Sequence, residues 1–209
     1  MYLTLRRYAG TAARVDEISS KVEEGLVPIL KRSSGFKGYY VLASEDGDGV
    51  SVGLFESQEQ AAKANEQARS WVQSEMQDLL PDPPEVFSGE VVLLASAEGQ
   101  PGSFGGPGNL PYVVIRKFGN ISNPDFREQF TRDVTMPAVR GSPGFRAFYA
   151  AWGDPGRTRA ALLSLFDTRE NAEKAYEQVK ELVREKGGAA IPPPDRTVMG
   201  KAVVVATPS

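Results

Sequence analysis

Neither histidine nor cysteine occurs among the 209 residues of this chain. Without histidine there is no Ser-His-Asp triad and no imidazole ligand for haem or zinc. No side chain has an unperturbed pKa near neutrality. Without cysteine, disulfide scaffolds, thiolate nucleophiles and Cys-ligated metals are excluded. No metal and no cofactor is expected, and acid–base chemistry must come from a shifted carboxylate, a lysine, a tyrosine or the substrate itself. Positive charge is also scarce. Lys and Arg number 24 against 27 Asp and Glu, a formal net charge of −3. No basic field draws in phosphate backbones, so nucleic acid is not an expected partner. No apolar run approaches the roughly 20 residues that span a bilayer. The first residues enter a strand-like pattern directly, with no charged stretch and apolar signal region. No membrane partner is expected, and the cytoplasm is the default compartment.

What is present is a repeat. MYLTLRRY (1–8) returns about 110 residues later as PYVVIRKF (111–118). Gly35-Phe36 and Tyr40 return as Gly144-Phe145 and Tyr149. LFESQEQAAKANEQ (54–67) returns as LFDTRENAEKAYEQ (165–178), and GEVVLLA (89–95) as GKAVVVA (200–206). The period is too long for a solenoid unit and suits a duplicated small domain. Residues 96–110, rich in glycine and proline, read as a linker between 1–95 and 111–209. GSFGGPG (102–108) has no following Lys-Ser/Thr and precedes a strand, so it is no phosphate loop. EDGDG (45–49) is too short for a calcium loop and reads as a turn.

Each half reads strand, helix, strand, strand, helix, strand. The first strands, 2–9 and 112–118, alternate with period two. The first helix of the second half has Asn123 as its cap and Pro124 at its first position. Pro28 and Pro137 are expected to kink or end the first helices. Strand pairs follow at 36–56 and 145–167. The second helices bury Ala61, Ala64, Ala68 and Val72, and in the copy Ala172, Ala175, Val179, Leu182 and Val183. Ser57 with Gln60, and Thr168, are their caps. Last strands lie near 86–95 and 197–206. A βαββαβ unit makes a four-stranded antiparallel sheet with both helices on one face. The bare face is apolar in both halves, and covering one sheet with the other hides both.

The element order, the Gly-Phe before the second strand and the Phe-acid-Ser/Thr-x-Glu-x-Ala stretch (55–61, 166–172) carry a likeness to a known family. The chain resembles the dimeric α+β barrel superfamily and, within it, the antibiotic-biosynthesis monooxygenase-like domains. The resemblance implies an α+β fold of two fused ferredoxin-like βαββαβ repeats packed sheet-to-sheet, a pseudo-dimer within one chain that leaves further self-association open. It also implies pockets between sheet and helices. Two function classes follow from it. One is a cofactor-independent monooxygenase acting on a small aromatic or phenolic substrate. The other is a non-enzymatic protein binding a small ligand or another protein. Many members carry a histidine on the second helix where this chain has Asn65 and Tyr176, so haem degradation through a histidine ligand is not implied.

The candidate pocket residues are Asn65, Trp71, Tyr176, Trp152, Tyr40 and Tyr149. Asn65, on the apolar face of its helix, either holds a substrate oxygen or is a structural amide. Trp71 either stacks on an aromatic substrate or packs in the core. Trp152 has no aromatic counterpart in the first half, so it is a candidate for one pocket only. Tyr40 and Tyr149 recur, which favours packing. The first and third strands of each half are expected as parallel central neighbours, pairing Arg6 with Glu56 and Arg116 with Asp167. The alternative role for these arginines is to stabilise an anionic substrate.

Overall fold

A computed structural model describes residues 1–97 and 110–208. The expected linker at 96–110, with GSFGGPG, falls almost wholly outside the described residues. Eight strands form one closed, wholly antiparallel barrel: β1 (Tyr2–Tyr8), β2 (Phe36–Ser44), β3 (Gly49–Phe55), β4 (Glu85–Ser96), β5 (Tyr112–Phe118), β6 (Phe145–Trp152), β7 (Ala160–Phe166) and β8 (Arg196–Ala206). Their order around the wall is β1-β3-β2-β8-β5-β7-β6-β4. The joins β2–β8 and β4–β6 each contain a register shift, between Val41 and Leu42 and between Val91 and Leu93. Such bulges bend a strand and sharpen its twist, which suits a corner in the wall.

Period two decides which side chains enter the barrel. Leu3 and Leu5 of β1, Tyr40 and Leu42 of β2, and Val113 and Ile115 of β5 point inward into one continuous apolar core. The alternate residues face outward and are covered by helices. On one side these are α1 (Val15–Lys21), α2 (Val27–Arg32) and α3 (Gln58–Glu75). On the other they are α4 (Pro124–Phe130), α5 (Met136–Arg140) and α6 (Arg169–Leu182). Each side has its own second layer of core between sheet and helices. Among the described residues no helix is long and apolar enough to cross a membrane.

Local chemistry sets the helix ends. Ser57 accepts a hydrogen bond from the Gln60 N–H, Thr168 from Asn171 and Asn123 from Phe126. Pro28 and Pro137 do not end their helices. A π-helical turn precedes each, Val22–Leu26 and Thr131–Thr135, and the helix then runs on to Arg32 or Arg140. A π turn shifts the hydrogen-bond register by one residue, which accommodates a residue lacking its N–H. Gly35 and Gly144 have positive φ, +72° and +69°. A Cβ on Gly144 would also lie 1.8 Å from Asp167 Oδ1, so the recurring Gly-Phe is a steric requirement.

The expected parallel pairing of first and third strands is incorrect. β1 and β3 are neighbours but antiparallel, and Arg6 opposes Ser51. Glu56 follows Phe55, which opposes Tyr2 at the far end of the ladder, on the order of 15 Å away. Arg116 likewise opposes Leu162, while Asp167 follows Phe166, the partner of Tyr112. The proposed ion pairs do not form. Glu56 lies instead 3.9 Å from Lys37, and Asp167 accepts a hydrogen bond from Asn171 at 2.8 Å.

Charge is concentrated at one mouth of the barrel. Arg7 contacts Asp48 at 2.6 Å and Glu85 at 3.1 Å, and Glu85 also pairs with Lys117. Burial opposes the charge on Asp48, yet the Gly10 N–H and the Arg7 guanidinium outweigh it and hold the carboxyl low. Lys117 first, then Arg7, holds Glu85 low despite some burial. Carboxylates depressed in the folded state stabilise it above their unfolded pKa, about 4, and lose that contribution as pH falls through the folded value. The thermal midpoint followed by circular dichroism will therefore fall between about pH 5 and pH 2, and Asp48→Asn will flatten the fall. Parallel losses in the two proteins would remove Asp48 as a source of the pH dependence.

Candidate functional site

The outward faces of β1, β2 and β3 do not fill the space beneath their helices. Between them lies a cavity of about 1010 Å³. Its floor carries Arg6, Tyr8, Tyr39, Ser51, Gly53 and Phe55. Ile18 of α1 with Val22 and Leu26 of the π turn form one wall. Asn65, Ala68 and Val72 of α3 form the other, and the run Pro81–Pro84 lies along the rim. Small side chains at Ser51, Gly53 and Ala68 create the room.

The polar groups divide between the floor, with Arg6, Tyr8, Tyr39 and Ser51, and the α3 side and rim, with Asn65, Glu66, Arg69, Gln73, Gln77 and Asp82. Arg6 is half-buried and makes no ion pair among the described residues. Two phenols sit within its field. Burial pushes Tyr39 up to about 12, opposed by a hydrogen bond with Ser51 and by the Arg6 charge. Burial also raises Tyr8, again opposed by Arg6. Both stay neutral across the physiological range and can donate. Asn65 Nδ2 donates to Thr4 Oγ1 at 3.1 Å, and Ser88 donates to the same oxygen at 3.2 Å. Thr4 is fully buried, so this bridge holds the Asn65 amide at the cavity wall. The arrangement can receive a planar apolar ligand and stabilise one developing negative charge on it.

A second, smaller cavity of about 360 Å³ occupies the matching place under the other helices. Bulkier side chains explain its size. Tyr176 stands where the first half has Asn65, Val179 for Ala68, and Leu162 for Ser51. Counting back from Pro28 and Pro137 pairs Ile18 with Arg127.

The candidate residues separate cleanly. Asn65 lines the larger cavity and Tyr176 the smaller, where its hydroxyl lies 3.1 Å from Thr197 Oγ1. Tyr40 and Tyr149 are buried inside the barrel, where their hydroxyls meet. Trp71 packs on Gly25, where a Cβ would come within 2.5 Å of its ring, and it joins α3 to the π turn. Trp152 is buried, donates to Glu128 Oε2 at 2.9 Å and stacks under Arg157. None of these four lines either cavity described above. Tyr39, Tyr8, Ser51 and Arg127 were missed. Each differs in type from its counterpart in the other half (Tyr39 against Phe148, for example), and that divergence was the available signal.

No protein-family model matches the chain, and no curated protein matches it. Solved structures do. An anthrone oxidase-like protein aligns over 99% of this chain and 92% of its own, with a TM-score of 0.63 at 15% identity. A "putative monooxygenase" of Fusobacterium nucleatum aligns over 99% and 94%, with a TM-score of 0.75 at 8% identity. A chlorite dismutase of Candidatus Nitrospira defluvii aligns over 97% and 90%, with a TM-score of 0.61 at 12% identity. At such identities the likeness shows the fold alone. Together with the closed wall of eight strands, it gives the chain the α+β barrel fold that these structures share.

Trp71→Ala will lower the unfolding free energy by about 2 kcal/mol in chemical denaturation, because it opens a gap between α3 and Gly25. The affinity of the larger cavity for a phenolic probe will stay within about twofold, since the ring is not part of its lining.

Proposed function

We propose that the larger cavity binds a small aromatic or phenolic compound as its anion, and that the protein is a cofactor-independent monooxygenase acting on it. The observation that carries this reading is Arg6. It is a half-buried guanidinium without an ion-pair partner among the described residues, flanked by two neutral phenols on the cavity floor. An activated methylene compound of the anthrone type fits the chemistry. Loss of one proton gives an enolate that Arg6 stabilises. The enolate passes one electron to dioxygen, and the resulting radical pair joins as a C–O bond. Protonation gives a hydroperoxide. Removal of the second C–H proton expels hydroxide, which leaves as water, and forms the carbonyl. One methylene and one dioxygen become one carbonyl and one water, so no outside reductant is needed. The chamber contributes orientation, exclusion of water and a fixed positive charge.

The second reading, a non-enzymatic binding protein, has support in the same lining. Burial moves Tyr8 and Tyr39 away from neutrality, so neither is poised as a base.

The same inference takes the chain as two ferredoxin-like βαββαβ repeats, 1–95 and 111–209, joined by the 96–110 linker. The internal sequence repeat and the matching orders β4-β1-β3-β2 and β8-β5-β7-β6 support it. On this reading one chain supplies its own pseudo-dimer.

Oxygen uptake with 1,8-dihydroxyanthrone and a hydroquinone panel tests the enzymatic proposal. We expect uptake above the uncatalysed rate, with Arg6→Gln lowering it on the order of a hundredfold. Saturable binding of these compounds without oxygen uptake would overturn the monooxygenase reading in favour of the binding protein.

A further inference from the structure

We propose that the smaller cavity is a second and chemically distinct site, which binds a small aromatic carboxylate between Arg116 and Arg127. It does not rest on the function proposed for the larger cavity.

Arg116 is a buried guanidinium. It projects outward from β5 and is 5% exposed. Its Nε and Nη2 have no hydrogen-bond partner among the described residues. Arg127, on α4, is also 5% exposed and borders the same cavity. Its guanidinium donates to the Pro192 carbonyl at 3.5 Å and lies 3.6 Å from the Phe118 ring. Neither arginine belongs to an ion pair among the described residues, while most exposed acids of α6 are already matched to neighbouring lysines or arginines. The Asp195 carboxylate acts on Arg127 from beyond ion-pair reach. Burial pushes Arg116 down to about 10, and burial together with the Arg116 charge brings Arg127 down to about 10 as well. Folded proteins pair or neutralise their buried charges. Two like charges facing one empty space therefore call for an anion supplied from outside.

The surroundings choose the anion. Phe118, Phe130, Leu162, Val179, Val183 and Ile191 give the walls a large apolar share, and Lys180 and Arg184, the other charged lining residues, are cations too. A planar carboxylate matches the fork of a guanidinium, and an aromatic body fills the rest. The volume of about 360 Å³ suits a ligand of one or two rings. Tyr176, already bonded to Thr197, adds a hydroxyl at the wall.

The test uses the full chain with 4-fluorobenzoate, followed by fluorine NMR and by thermal shift. We expect saturable binding and a raised melting temperature, with 4-fluorobenzamide at least tenfold weaker. Arg116→Gln and Arg127→Gln are each expected to weaken the benzoate at least tenfold, and Arg6→Gln to leave it unchanged. Equal binding of acid and amide in the unaltered protein would overturn the proposal, whether or not the variants fold. So would an absence of saturable binding. Loss of affinity in Arg6→Gln but not in Arg116→Gln would place the ligand in the larger cavity and would also overturn it.

Discussion

The barrel wall closes because β2 hydrogen-bonds to β8 and β4 to β6, and every other feature follows from that closure. An open four-stranded sheet with helices on one face leaves an apolar face and two edges exposed. Closure removes both at once. The inward residues of all eight strands then share one core, packed from side chains of both halves. The outward faces are each roofed by their own helices. The cavities lie there and differ in size because their linings differ, while the wall behind them is shared.

Much of this was legible in the chain. The repeat and its periodicity gave the element order, and Ser57, Thr168 and Asn123 marked helix starts that the structure bears out. Alternation in β1 separated Leu3 and Leu5 from the outward Thr4 and Arg6. The site was harder. Tyr40 drew notice because it recurs, but recurrence marks the shared barrel core, and its neighbour Tyr39 faces the cavity. The position of Trp71 depends on Gly25, a contact between two helices that no local pattern encodes. The Arg6–Glu56 pair failed because strand direction fixes which ends meet, and antiparallel pairing puts these two at opposite ends. Arg127 passed unnoticed because one charged residue in a helix start reads as surface until the packing shows it buried.

The two sides of the barrel have used the same backbone for different chemistry. One side keeps small residues and the Arg6 guanidinium beside neutral phenols, around a large chamber. The other has traded space for a tyrosine and a second buried arginine. Single substitutions on the outward face alter a pocket without touching the barrel interior, since inward and outward residues alternate along every strand. The barrel therefore fixes where ligands sit, and the outward side chains fix which ligands they are.

A crystal structure of the chain soaked with 1,8-dihydroxyanthrone under anaerobic conditions tests that account most directly. The account predicts the ring system between the β1-β3-β2 face and α3, with an oxygen directed at Arg6 and within reach of Asn65. A ligand lodged among Leu3, Tyr40 and Tyr149 inside the barrel, or a larger cavity that stays empty at saturating ligand, would contradict it.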